Sequence, residues 1–267
     1  MRNVRIVALT LVFVIAVLSL AGSLLPRFDY SRQDREHFST SPTSEHWLGS
    51  DAVGRDRLAR LVHGTRVSLS LAPAAAGLSM VLAFVLGAAP AFAGGEAERA
   101  AKAAIDLMLS VPWLFLLLLI RALLPLNTSP GTSAVITFTM LGLLGWGMPG
   151  RILMARARAL RESEFVLAAR AAGIPSRRLL WVSIAPNLWP VLLAQFWIAL
   201  PLFILAEANL SLLGLGVGEP MPSLGSLLRD LESVMSLRSD LASFAGLAVL
   251  LLIVGSLQVV AHEREVN

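Results

Sequence analysis

Cysteine is absent from this 267-residue chain, and lysine occurs once, as Lys102. Without cysteine the chain has neither a disulfide framework nor a thiolate metal site. Charged residues make up only 15% of the sequence, whereas a soluble domain has about a quarter. Hydrophobic residues make up 56%, and the mean hydropathy is +0.72. This composition predicts a protein that lies largely in a lipid bilayer.

Motifs for catalysis and nucleotide binding are missing as well. No GxxxxGK(S/T) phosphate loop occurs, so we expect no ATP site in this chain. No HExxH or GxSxG occurs, and the glycine-rich GLGVGEP follows an apolar run rather than a βαβ unit. His46 and Asp51 lack a third ligand and are read as loop residues. We therefore assign no catalytic residue, cofactor or metal to the chain and, without a basic run rich in aromatics, no nucleic-acid partner.

Apolar runs predict an all-α polytopic membrane protein with six transmembrane helices. Each run approaches the length of about 20 residues that crosses a bilayer. Pro112 is expected to kink the third, residues 94–102 to form a polar connection, and residues 125–132 a turn. The first run has the basic start of a signal peptide, but its length favours a retained helix. The predicted spans are 6–25, 67–92, 103–124, 133–148, 191–213 and 242–260.

The charged stretch 164–187 is predicted to form two short helices joined by a hinge. Ser163 is a candidate N-cap for the first helix. Gly173 follows its last apolar position, where a left-handed residue commonly ends a helix. Pro175 suits the first turn of the second helix. Pro186 and Pro190 are expected to interrupt the path into the next span.

This stretch resembles the cytoplasmic EAA loop of permease subunits of ATP-binding-cassette (ABC) importers, and in particular the EYVxAARxxG…HILPN version of the peptide and nickel subgroup. Leu167 stands at the general glutamate position, Ala185 at the leucine position and Ser183 at the subgroup's histidine. The resemblance implies a coupling helix that docks on an ATPase. The residues that carry it are Glu164, Ala168, Ala169, Arg170, Gly173, Pro186 and Asn187. The alternative is an ordinary amphipathic connector between two spans.

Three further stretches, 45–69, 105–112 and 207–225, resemble the same subgroup in the same order. Within the last, Glu207 lies in an apolar helix, where a carboxylate costs roughly 2.5–3.5 kcal/mol to insert if central. It should therefore face protein or water. Two roles stay open for Glu207: it lines the cargo path, or it ties two helices together.

The resemblance implies the permease fold of a type I ABC importer in the bacterial inner membrane. The expected partners are a second homologous permease in a heterodimer, two ATP-binding subunits or one fused ATPase, an extracytoplasmic substrate-binding protein and the lipid bilayer. ATP and magnesium would bind the ATPase subunits. Dipeptides or oligopeptides are the expected cargo, although the sequence does not separate them from nickel chelates or haem. A stand-alone secondary transporter or channel is the alternative.

Arginine distribution predicts cytoplasmic N- and C-termini. Seven arginines lie in the central loop and seven in the loop after the first span, so Arg2 and Arg5 before that span decide the orientation. The chain divides into a first helix with an extracytoplasmic loop (1–66), a five-helix core (67–260) and a cytoplasmic tail (261–267). The core includes the coupling loop, 151–189.

Overall fold

The structure, a computed structural model, describes residues 2–122, 128–235 and 244–266. Within these ranges the regular secondary structure is helical, and residues 29–56 form a long loop before α2 that holds two isolated β bridges. Five-residue π-helical segments, Phe84–Ala88 and Leu180–Ile184, follow α2 and α9. The helices are α1 (Arg2–Ser23), α2 (Arg57–Ala83), α3 (Ala89–Ala93), α4 (Gly95–Ser110), α5 (Trp113–Ala122), α6 (Pro130–Leu144), α7 (Gly147–Arg161), α8 (Glu164–Ala171), α9 (Ser176–Leu179), α10 (Ala185–Leu212), α11 (Leu224–Met235) and α12 (Ala245–Val266).

Four of the described helical runs are long and apolar enough to cross a membrane: Asn3–Ser23, Arg57–Ala93, Pro130–Arg161 and Ser176–Leu212. The bent pair α4 and α5 would make a fifth. The apolar part of α12, Ala245–Ala261, is shorter. Helices therefore occupy the regions of all six predicted spans, but six crossings remain a prediction. Parts of the predicted third and sixth spans, of the turn and of the tail lie outside the described residues. They are residues 123–127, 242, 243 and 267.

Three sequence-based boundaries were wrong. Residues 95–102 form the first half of α4 rather than a connection, because Glu96 and Glu98 favour a helix N-terminus and the alanines around them favour helix. The helical path does not stop at the predicted end of the fourth span, Met148, since α7 resumes at Gly147 and runs to Arg161. The helix also continues through Pro186, which follows the π-helical segment in the first turn of α10.

Pro112 produces a larger change of direction than the predicted kink. The chain leaves helical geometry at Val111, and the axes of α4 and α5 differ by 79°. Because proline has no amide hydrogen and its ring clashes with the preceding turn, it separates the two helices.

Two apolar clusters organise the fold. The larger one joins α2, α6, α10 and α12, where Ala72, Ala75 and Ala76 are almost fully buried and let the helices approach closely. The second joins α3, α4, α7 and α8, with Phe92 and Val166 in its interior. α1 lies against α2 and α12. The second cluster fixes α8, the predicted coupling helix, to the rest of the chain.

Candidate docking segment and buried polar sites

Helix α8 is anchored on one side and exposed on the other. Val166 is completely buried in the second apolar cluster. Phe165 and Leu167 are 48% and 52% exposed. Ala168 is also exposed, whereas Ala169 is partly covered by the same cluster as Val166. The surface that α8 offers to a partner is therefore built from Phe165, Leu167 and Ala168, and Ala169 contributes less than the motif suggested.

The end of α8 has the predicted hinge. Gly173 has a φ of +78°, and its amide donates to the carbonyl of Arg170 at 2.9 Å. The amide of Ile174 donates to the carbonyl of Ala169 at 3.1 Å. Together these bonds form the Schellman arrangement, which needs a left-handed residue after the helix. The prediction of a left-handed Gly173 is confirmed.

The start of α8 differs from the prediction in its hydrogen bonding. Ser163 has the extended backbone of an N-cap residue, but its side chain makes no capping bond. Its hydroxyl donates instead to the carbonyl of Leu160, at the end of α7. Glu164 is exposed in the first turn of α8, where the helix dipole stabilises a carboxylate. The corner between α7 and α8 is thus fixed from the α7 side.

Arg170 and Asn187, two further residues of the motif, are exposed but also contact other parts of the chain. Arg170 places its guanidinium over the ring of Phe92, 5.0 Å from the ring centroid. Pro186 and Asn187 lie in the first turn of α10, beyond α9 and the second π-helical segment. Asn187 donates from Nδ2 to the carbonyl of Ser183 at 2.7 Å. Arg170 and Asn187 therefore make contacts within the chain.

Glu207 is completely buried in α10 and is fully engaged by donors. Its Oε1 accepts hydrogen bonds from the hydroxyls of Ser211 and Ser223, each at 2.7 Å. Its Oε2 accepts from the amide of Gly225 at 3.3 Å. Because Ser223 and Gly225 precede and begin α11, the carboxylate joins α10 to α11. This geometry favours the helix tie over the cargo path.

A buried arginine, to which the sequence assigned no role of its own, joins two of the motif stretches. Arg60 in α2 is 1% exposed. Its guanidinium lies 2.8 Å from the carboxylate of Asp230 and 3.3 Å from that of Glu219. Arg55 also pairs with Glu219 and, at 2.7 Å, with Asp51. The stretches 45–69 and 207–225, which were read separately, thus form one charged cluster.

Two further features show how closely these stretches are joined. The hydroxyl of Ser68 in α2 accepts a hydrogen bond from the amide of Leu224 at 3.1 Å, and both residues are fully buried. Burial acts to raise the pKa of Glu219. The charge of Arg60 and the hydrogen bond from Arg55 outweigh burial and hold this pKa below its ordinary value. The Glu219 carboxylate of the Arg60 cluster is therefore ionised at neutral pH.

His46 and Asp51, which the sequence predicts to be loop residues rather than metal ligands, have separate partners. His46 Nδ1 lies 2.7 Å from Asp56, the residue that caps α2 by accepting from the amide of Ala59. Asp51 pairs with Arg55. Across the described ranges, no group of three or more histidine and acidic side chains is arranged to hold a metal ion. Both residues serve to fold the loop onto the start of α2.

Known proteins with similar sequences identify the family. Residues 69–263 match the family described as "Binding-protein-dependent transport system inner membrane component". The chain belongs to this permease family. Relatives include the oligopeptide transport system permease protein OppC of Bacillus subtilis, 30% identical over 86% of this chain and 73% of the relative. The OppC proteins of Haemophilus influenzae and Mycobacterium tuberculosis are 33% and 32% identical, over 86% and 84% of this chain and 73% and 74% of their own.

Family membership explains the apolar, all-helical architecture of the described residues. The permease is a multi-pass membrane protein and the transport component of its system rather than the catalytic one. The matched region begins in α2 and ends in α12, so it includes α8 and Glu207 with their contacts, whereas Arg60 and Ser68 lie before its first residue. The resemblance derived from short motifs is thereby confirmed at the level of the family.

Proposed function

We propose that this permease forms half of the transmembrane pathway of an ABC importer for peptides, and that α8 is its coupling helix. The observation that carries the proposal is the form of residues 164–173: a short helix, anchored by Val166, that exposes Phe165 and Leu167 on a surface rich in arginine. Exposed apolar side chains among charges are typical of a protein contact.

The other half would be a second homologous permease, with two ATP-binding subunits or one fused ATPase on the cytoplasmic side and a binding protein on the opposite side. The names of the OppC relatives support peptides as the cargo. ATP-driven closure of the ATPases would displace α8. A rigid-body movement of this kind would open the pathway alternately to the two sides.

Orientation follows from the same assignment. With α8 and the central loop in the cytoplasm, six crossings place both termini there. The cluster of Arg60, Asp230 and Glu219 would then lie toward the extracytoplasmic side. The bent pair α4–α5 and the short α12 would each count as one crossing, which gives the six spans of the proposal.

Co-expression with genes for a homologous permease, an ATPase and a binding protein tests this function. The purified permease should retain an ATPase and, in proteoliposomes with the binding protein, support ATP-driven uptake of labelled peptides. Leu167→Asp should release the ATPase while leaving the partner permease bound, because a charge without a partner is costly in a contact. Uptake driven by an ion gradient, without any bound ATPase, would instead support the secondary-transporter alternative.

A further inference from the structure

The corner between α3 and α4 is contacted by an arginine at the end of α7. Gly94 forms this corner with a φ of +81°. A Cβ at Gly94 would lie 2.8 Å from Nη1 of Arg161, so the corner combines a left-handed backbone with close approach of an arginine. Arg161 is the last residue of α7. The corner is therefore shaped to seat the end of α7.

Glu98, in the first turns of α4, is the carboxylate at the centre of these contacts. Its Oε2 lies 2.7 Å from Nη1 of Arg161, and its Oε1 pairs with Arg158. The same Nη1 of Arg161 donates to the carbonyl of Ala91 at 2.8 Å. The side chains of Glu98 and Arg161 are only 13% and 19% exposed. Partial burial makes this pair stronger than an exposed one.

Two other contacts extend the connection in both directions. On the α8 side, Arg170 stacks on Phe92, which lies in α3. On the other side, Asp106 in the second half of α4 pairs with Arg151 in α7. α4 is thus tied to α7 near both of its ends, and it leads directly to the 79° bend before α5.

We propose that Glu98 is a positioning residue that ties α4 to the end of α7, so that α4, α7 and the attached α8 move as one body and a displacement of α8 reaches the α4–α5 bend. This inference rests on the proposed function, in which α8 is displaced by the ATPases. Without the Glu98 carboxylate, α8 would move relative to α4, and ATP hydrolysis would be separated from the opening of the pathway.

Glu98→Gln tests the proposal, with Glu96→Gln as the matched control. Glu96 lies in the same turn but pairs with Arg99 at the surface, where the two side chains are 85% and 77% exposed. In proteoliposomes, Glu98→Gln should keep the ATPase bound and lower the peptide imported per ATP hydrolysed by about five-fold or more. Glu96→Gln should match the wild type, and Glu98→Asp should recover most of the ratio.

A distance measurement separates positioning from a general loss of stability. The cysteine-free chain accepts spin labels at Lys102 and Ala171, which are both exposed. In the wild type their separation should be the same in the nucleotide-free and ATP-trapped complexes, whereas in Glu98→Gln it should differ between them. The inference would be overturned if Glu98→Gln had the same label separation in both nucleotide states and the import ratio of the wild type. Failure of Glu98→Asp to restore the ratio would also overturn it. A wild-type complex without ATP-driven uptake would refute the proposed function instead.

Discussion

Arg60 and Asp230 are 170 residues apart in the chain, yet their side chains meet at 2.8 Å. The contact joins α2 to α11, and Glu219 adds a second carboxylate from the turn that follows α10. Arg60 is almost fully buried, and its ion pairs tie α2 to α11 and to the turn between α10 and α11.

Replacing the buried arginine should destabilise the permease strongly. Arg60→Met leaves Asp230 and Glu219 without their shared cation. Because these carboxylates are 33% and 39% exposed, the cost should lie between the ~1 kcal/mol of an exposed pair and the ~3–5 kcal/mol of a fully buried one. Thermal unfolding of the purified complex measures this. Arg99→Gln is the control, because its exposed pair with Glu96 should contribute about 1 kcal/mol or less. Equal unfolding temperatures for the two variants would show that the cluster adds no stability.

The same cluster should make stability depend on acid. The folded-state pKa of Glu219 lies below its ordinary value of 4.5. A carboxyl group with a lowered folded pKa contributes stability that is fully present above the unfolded pKa and is lost as pH falls through the folded pKa. The contribution of Glu219 to stability should therefore be lost below about pH 4.5, whereas burial raises the pKa of Asp230 and gives that residue the opposite sign. Glu219→Gln should remove the Glu219 part of the acid dependence of the unfolding temperature. An acid dependence identical in wild type and variant would contradict this.

Glu207 should behave as a helix tie. In Glu207→Gln the amide oxygen can still accept from Ser211 and Ser223, but the amide nitrogen faces the donor of Gly225. Assembly should survive with a modest loss of transport. Glu207→Leu leaves all three donors without an acceptor, at about 1–3 kcal/mol for each one that stays unsatisfied. Gel filtration should then show reduced assembly for Glu207→Leu alone.

If both Glu207 variants assembled normally and both lost transport, the cargo-path role would replace the helix tie. The two outcomes use the same complexes, so uptake and gel filtration can be measured on one preparation. The wild type provides the reference for both.

Topology is testable because the chain has no cysteine of its own. Ser39 lies in the loop before α2 and Ser176 at the start of α9, and both are exposed. A cysteine at Ser39 should react with an impermeant maleimide on intact cells. One at Ser176 should react only after permeabilisation. The opposite pattern would place α8 outside the cell and exclude its contact with an ATPase.

Local features of the site could be predicted from the sequence, whereas distant contacts could not. The left-handed Gly173 depends on residues within one helical turn, so the sequence around it sufficed. The Arg60 cluster depends on how α2 meets α11, and no local pattern specifies that packing. Glu207 was recognised as unusual because of its apolar surroundings, but its donors Ser223 and Gly225 lie in another element.

The errors in helix boundaries have a related cause. Residues 95–102 are polar enough to resemble a connection, but their acidic first turn and alanines also suit a helix. Only packing of α4 against α7 decides between the two readings. Likewise, Pro186 looked like a break because a sequence does not show that a π-helical segment will precede it.

The central claim is that α8 and its hinge couple this permease to an ATPase, and Gly173→Val tests it most directly. Gly255→Val is the matched control, since a Cβ at either glycine would meet no atom within 4 Å, but only Gly173 has a positive φ. A β-branched residue is a poor fit in that conformation.

The measurement is ATP hydrolysis by the reconstituted complex with saturating binding protein and peptide. Gly173→Val should insert, retain its partner permease and lose the stimulated hydrolysis, while Gly255→Val should keep it. Normal stimulated hydrolysis in Gly173→Val would mean that residues 164–173 are only a connector.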